Sequence, residues 1–179
     1  MIAACALVFI YSLGLCTDLY GNNFAYYAED PDYIIVEGSQ IYYDIQEFNR
    51  QLTTAGLVLL LLSATLLVFQ NHTRRKYYFV NYVAVGANVA ADIAVASWAL
   101  SEVAKYKQQF LQVDFEALKF WAEEVFLHEW TDSTFWFDAA SVVFGVLMVA
   151  AALLVLATVY KMFVMGAEKR AIRRSRRRR

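Results

Sequence analysis

The run LVLLLLSATLLVF, Leu57 to Phe69, constrains this chain more than any other feature. In water a segment this apolar must be covered on every side, whereas a lipid bilayer covers it without help from the rest of the chain. It forms the heart of an uncharged stretch from Leu52 to Phe69. At about 1.5 Å per residue, that stretch approaches the ~30 Å of bilayer hydrocarbon. Three more segments share its character. Met1 to Thr17 carries no charge, Phe79 to Leu100 carries only Asp92, and Ala139 to Tyr160 is uncharged between Asp138 and Lys161. The chain is 60% hydrophobic and 18% charged, against roughly a quarter charged in soluble domains. Four such segments in 179 residues leave too little polar chain to cover them. The sequence therefore predicts an all-α integral membrane protein, a bundle of four transmembrane helices at about 1–17, 52–69, 79–100 and 139–160.

With one proline and seven glycines, no flexible linker divides the chain. It reads as one membrane domain, residues 1–165, followed by a basic tail, residues 166–179. The first segment lacks the basic n-region and A-x-A-like site of a cleaved signal. Leu13-Gly14-Leu15-Cys16 resembles a lipoprotein cleavage site, but the bulk of Leu15 before the cysteine argues against it. An uncleaved first span is expected. Cys5 and Cys16 lie ~16 Å apart on a helix, too far for a disulfide within the chain.

Charge sets the orientation. The stretch Asn71 to Lys76 holds three basic residues and no acid, and Gly166 to Arg179 holds eight basic residues and one acid, Glu168. By contrast, Asp18 to Arg50 has seven acids against one base, and Ser101 to Thr134 seven against three. The Lys/Arg bias of short loops places the basic segments in the cytoplasm. Both termini are then inside and both acidic loops outside. Tyr77, Tyr78 and Tyr82, with Trp98, Trp130, Phe135 and Trp136, stand where an interfacial aromatic belt is required.

The outer segments carry patterns of their own. Ile41, Ile45, Phe48 and Leu52 recur at helical spacing after Ser39, a candidate N-cap, so the second helix should begin outside the membrane. The third should continue through Lys105, giving a projecting antiparallel hairpin. A competing reading pairs Tyr33–Val36 with Ile41–Tyr43 as a β-hairpin. Leu111, Phe115, Leu118, Ala122 and Val125 outline an amphipathic helix with Glu116, Lys119 and Glu123 on its polar side. Packing within the chain is the expected use of that apolar face.

Asn81, Asn88 and Asp92 are spaced by seven and four, so they share one face of the third helix. An acid inside a span costs ~2.5–3.5 kcal/mol on insertion scales and points to function. Two roles compete: an ion or proton site, and a polar clasp to another helix through Arg50, Ser141 or a partner's basic group. Gly86, Ala90 and Ala94 form a small-residue row on the same helix, and Ser141 with Gly145 a shorter one on the fourth. Such rows let helices approach closely, within a chain or between chains. Glu124, His128 and Asp132 align at metal-ligand spacing, but without a zinc signature they read as a solvated polar face. No nucleophile elbow, phosphate loop or paired catalytic motif occurs, so neither enzyme activity nor a cofactor or metal is expected.

Lys169, Arg170, Arg173, Arg174, Arg176, Arg177, Arg178 and Arg179 make the tail polybasic. Next to a span such a run attracts anionic lipid headgroups, at ~1 kcal/mol per basic residue, and nucleic acid is not the expected partner. The four-span families marked by W…GLW…C…C or CCG loops are not matched, since neither pattern occurs. The sequence points to a non-enzymatic accessory or scaffold subunit of the plasma (cytoplasmic) membrane, contacting another membrane protein or a second copy through Asp92 and the small-residue face. The alternative is a small oligomeric transporter or channel with a polar path at Asn81, Asn88 and Asp92.

Overall fold

A computed structural model describes residues 1–15, 35–72, 78–124 and 131–176. Five helices form among these residues, and no strands: α1 Ile2–Gly14, α2 Ile41–His72, α3 Tyr78–Phe110, α4 Phe115–Glu124 and α5 Phe135–Arg176. Three stretches are long and apolar enough to cross a membrane, Ile41–Gln70, Phe79–Phe110 and Phe135–Ala167. In their most apolar windows only 22 to 28% of residues are buried within the chain. An apolar helix left mostly uncovered by protein must face lipid. Phe79, Val142, Leu156 and Phe163, each more than 60% exposed, belong to that surface.

α1 is described over Ile2–Gly14 of the expected 1–17. Its 13 residues rise about 20 Å, two-thirds of the hydrocarbon thickness. Cys16 and Thr17, which would lengthen it, lie outside the described residues. α1 packs on α2 and α5, α2 on α3, and α3 on α5, so these pairings close a ring. Two glycines set the closest approaches. A Cβ on Gly56 would stand 3.1 Å from the Phe9 Cα, and one on Gly14 2.9 Å from the Trp136 ring. Tyr11 fixes the other side of α1, donating to the Trp136 carbonyl at 2.9 Å with its ring edge-on to Phe144. Asn49 of α2 donates to the Leu15 carbonyl at 3.5 Å, satisfying one acceptor that the end of a helix leaves open.

The projecting hairpin forms. Beyond the expected spans, α2 adds about 16 Å before Leu52 and α3 about 15 Å after Leu100. Phe48 stacks between Trp98 and Tyr106, at 5.4 Å from each ring, and Tyr106 donates to the Asp44 carbonyl. Helix over Ile41–Tyr43 removes the second strand of the β-hairpin reading; Tyr33 and Ile34 lie outside the described residues. Ser39 is not the N-cap. Its hydroxyl accepts from the Val36 N–H and closes the preceding turn, while the Gln40 carbonyl receives the N–H groups of Tyr43 and Asp44. That turn needs Gly38, whose φ is +80° and whose added Cβ would meet the Gln112 carbonyl oxygen at 2.8 Å.

α4 begins later than the periodicity suggested. Asp114 caps it, accepting the Ala117 N–H at 3.0 Å, and Leu111 stays in the turn, 61% exposed. Leu118 and Ala122 are buried and Phe115 meets Phe110, so the apolar face packs within the chain. Val125 and His128 lie outside the described residues. α5 runs unbroken through 42 residues, so its backbone remains helical into the tail; residues 177–179 lie outside the described part.

Candidate intramembrane polar site

Heptad-like spacing turns Asn81, Asn88 and Asp92 to one side of α3, and that side faces the protein: they are 6, 3 and 0% exposed. The structure joins only two of them. The Asn88 Nδ2 donates to the Asp92 Oδ2 at 2.9 Å, within one helix. Asp92 Oδ1 and Asn88 Oδ1, both buried, have no hydrogen-bond partner among the described residues. On the facing side, the buried thiol of Cys5 in α1 lies near Ser63 of α2 and near Asp92. The amino group of Met1 acts electrostatically on the same carboxyl. Ser63 donates to the Leu60 carbonyl at 3.0 Å.

Three helices thus contribute to a small pocket of polarity that is rich in acceptors. The Asn88 amide and the Ser63 hydroxyl have both committed a proton, and two bare carboxyl and amide oxygens remain. Such a group binds what brings a donor or a positive charge: a water or a proton. Three other hydroxyls of the spans are satisfied locally, since Thr53, Thr65 and Thr158 each donate to a carbonyl four residues back.

The partners expected for Asp92 are elsewhere. Arg50 pairs with Glu47 on the outer surface of α2, and Ser141 is exposed and donates to the Asp138 carbonyl. Asp92 itself is sealed inside the chain, so it does not lie on a partner-facing surface as expected. Asn81 belongs to a different environment. It lines a cavity of about 90 Å³ together with Gln70, Tyr82 and Lys161, to which Asn88 and Asp92 do not contribute. The rise from Asn81 to Asn88 is about 10.5 Å.

The small-residue rows point outward. Gly86, Ala90, Ala94, Ser141 and Gly145 are all exposed, and a Cβ on Gly86 or Gly145 would meet nothing within 4 Å. Among the described residues nothing stands over Gly86 or Gly145. Of the tail residues, Arg170 is exposed with its Nε donating to the Gly166 carbonyl; Arg177, Arg178 and Arg179 are not described.

The outer hairpin encloses a feature the sequence did not announce. An open cleft of about 560 Å³ lies between α2 and α3, walled by Tyr43, Asp44, Glu47, Glu102, Lys105 and Tyr106. Four of its charges are paired along each helix, Lys105 with Glu102 at 2.5 Å and Arg50 with Glu47. The signal was available as i, i+3 charge pairs on both outer helices, but their facing one another depends on hairpin register. Lys107 reaches across to Asp138 at 2.5 Å, tying α3 to the start of α5. No family model matches the chain, and no curated protein or solved structure shows significant similarity to it.

Proposed function

We propose that this protein is a non-enzymatic, multi-pass accessory or scaffold subunit of the plasma membrane that binds another membrane protein or a second copy of itself. The basic loop 71–76 and the tail face the cytoplasm, and the acidic segments face outward. α1 lies with its amino end directed inward as the short fourth member of the bundle. Anionic headgroups engage the tail. One observation carries the reading: the small-residue rows of α3 and α5 are exposed, with open space over Gly86 and Gly145. Small residues facing lipid leave shallow grooves that a second helix fills better than mobile acyl chains do. Asp92 has no part in this contact, because it is buried in the chain's own interior.

Substitution tests the proposal directly. Gly86→Leu with Ala90→Leu meets no neighbour inside the chain, so the thermal midpoint of the isolated protein should stay within a few degrees. Co-purification with the partner, or cross-linking between copies in native membranes, should drop sharply. Unchanged assembly in that double variant would remove the proposal.

The two bare oxygens of Asn88 and Asp92 favour a second reading, an oligomeric proton- or ion-coupled transporter. Its polar route would have to connect the Asn81 cavity with the sealed pair about 10.5 Å away.

A further inference from the structure

Two oxygens in the interior of the bundle, Asp92 Oδ1 and Asn88 Oδ1, are sealed from solvent and accept no hydrogen bond. The residues that carry them are 0 and 3% exposed. Their other ends already meet, the Asn88 Nδ2 donating to the Asp92 Oδ2 at 2.9 Å. Both bare atoms are acceptors, so neither satisfies the other while Asp92 is a carboxylate. The pair lacks one hydrogen.

The surroundings narrow what supplies it. α3 has no other formal charge between Tyr77 and Ser101. The facing apolar stretches, 52–69 of α2 and 139–160 of α5, contain no titratable group except Tyr160 at the end of the second. α1 brings the Cys5 thiol near the carboxyl, with the amino group of Met1 one turn away, yet neither makes a hydrogen bond to Asp92 Oδ1. A metal ion such as calcium or magnesium takes about six or more oxygen ligands. Two bare oxygens are too few, and among the described residues no group of three or more His, Cys, Asp or Glu gathers. A water could donate to both oxygens, but it leaves a full negative charge in an apolar interior, where a carboxyl ordinarily neutralises instead.

A proton answers both needs. On Asp92 Oδ1 it turns an acceptor into a donor for Asn88 Oδ1, and it removes the charge. Amide and acid then meet through two parallel bonds, N–H to Oδ2 and O–H to Oδ1. The terminal torsions of Asn and Asp are soft enough to bring the second pair of atoms together.

We propose that the Asp92–Asn88 pair is a proton-binding site, in which Asp92 resides as a neutral carboxylic acid whose hydroxyl donates to the Asn88 Oδ1. Hydronium gives up the proton and leaves as water, and the site passes from singly negative to neutral. The inference rests on the residues that the transporter reading uses, but not on transport, since a scaffold would hold the same proton as a structural element.

The full chain, reconstituted in lipid vesicles at pH 7, is read by infrared spectroscopy. Carboxyls in contact with water are ionised at that pH, so a protonated-acid carbonyl band reports a neutral acid shielded from water. The wild type should show one such band, and Asp92→Asn should lose it. That variant offers N–H in place of O–H, so both bonds to Asn88 and the fold survive. Asn88→Leu should move the band to higher frequency, because the acid loses its acceptor. A wild type without the band, a band that persists in Asp92→Asn, or one that Asn88→Leu leaves in place would each overturn the proposal. The wild type and Asp92→Asn decide the matter even where Asn88→Leu does not fold. Solute uptake is a separate readout. The band without uptake keeps the proton site and removes the transporter, whereas uptake without the band removes the proton site alone.

Discussion

A carboxyl inside a membrane helix is tolerable only if something nearby accepts its presence. For Asp92 that neighbour is Asn88, one turn back on its own helix, with Ser63 and Cys5 supplied by two other helices. Substitution separates the roles that this arrangement permits. Asp92→Asn keeps the shape and most of the hydrogen bonding, and interhelical hydrogen bonds in membranes average only ~0.6 kcal/mol. Its stability should fall little. Asp92→Leu leaves the Asn88 amide bare in a closed interior, at a cost of about 1–3 kcal/mol. Chemical or thermal unfolding in detergent checks the order. In liposomes, pH-driven solute uptake by the wild type that disappears in Asp92→Asn would favour the transporter over the scaffold; uptake absent from every variant would do the reverse. The periodicity of Asn81, Asn88 and Asp92 made their shared face legible in the sequence. The partners were not, because they depend on how three helices rotate against one another. Gly86 and Gly145 stood out for their spacing, yet the glycines at which the described helices approach one another closely are Gly56 and Gly14, which belong to no row.

Among the elements, α1 has the shortest described apolar stretch, 13 residues, and it packs on both α2 and α5. Its seat on α2 is the backbone of Phe9 against Gly56. Gly56→Leu should lift α1 away and expose Cys5, which is fully buried in the native packing. The measurement is maleimide labelling in a Cys16→Ser background. Cys5 should be protected in the parent and modified in the Gly56→Leu variant; equal protection would show that α1 is held by its α5 contacts instead. Hydropathy marked the lipid-facing middle of each helix and missed the ends, for a physical reason. Helix ends are set by turns and caps, and here Gly38, Gln40 and Asp114 set them. The tail looked like a separate segment because its charge differs. Backbone hydrogen bonding ignores that change, so α5 continues through it.

For the whole molecule, orientation rests on where the Lys and Arg residues lie. Asn71-His72-Thr73 is a glycosylation sequon at the carboxyl end of α2. Expressed in a eukaryotic host, the protein should remain unmodified at Asn71, as shown by insensitivity of its gel mobility to glycosidase. A sequon moved to the region of Tyr26 should be glycosylated. Glycan at Asn71 would invert the topology and with it the assignment of the basic tail to the cytoplasm. Charge asymmetry of this kind was fully legible without a structure, since insertion reads the same local counts. The ring of contacts among α1, α2, α3 and α5 was legible only as helix number, because apolar residues mark burial or lipid exposure alike.

The absence of any break in α5 has a mechanical consequence. From Tyr160 to Arg176 the helix extends about 24 Å past its apolar stretch. A tilt of ~20°, ordinary for a membrane helix, carries that far end sideways by ~8 Å. Bilayer thickness sets tilt, so a thinner or thicker membrane moves the basic end as a lever moves its tip. The charges at that end then report the state of the bilayer without any rearrangement inside the bundle.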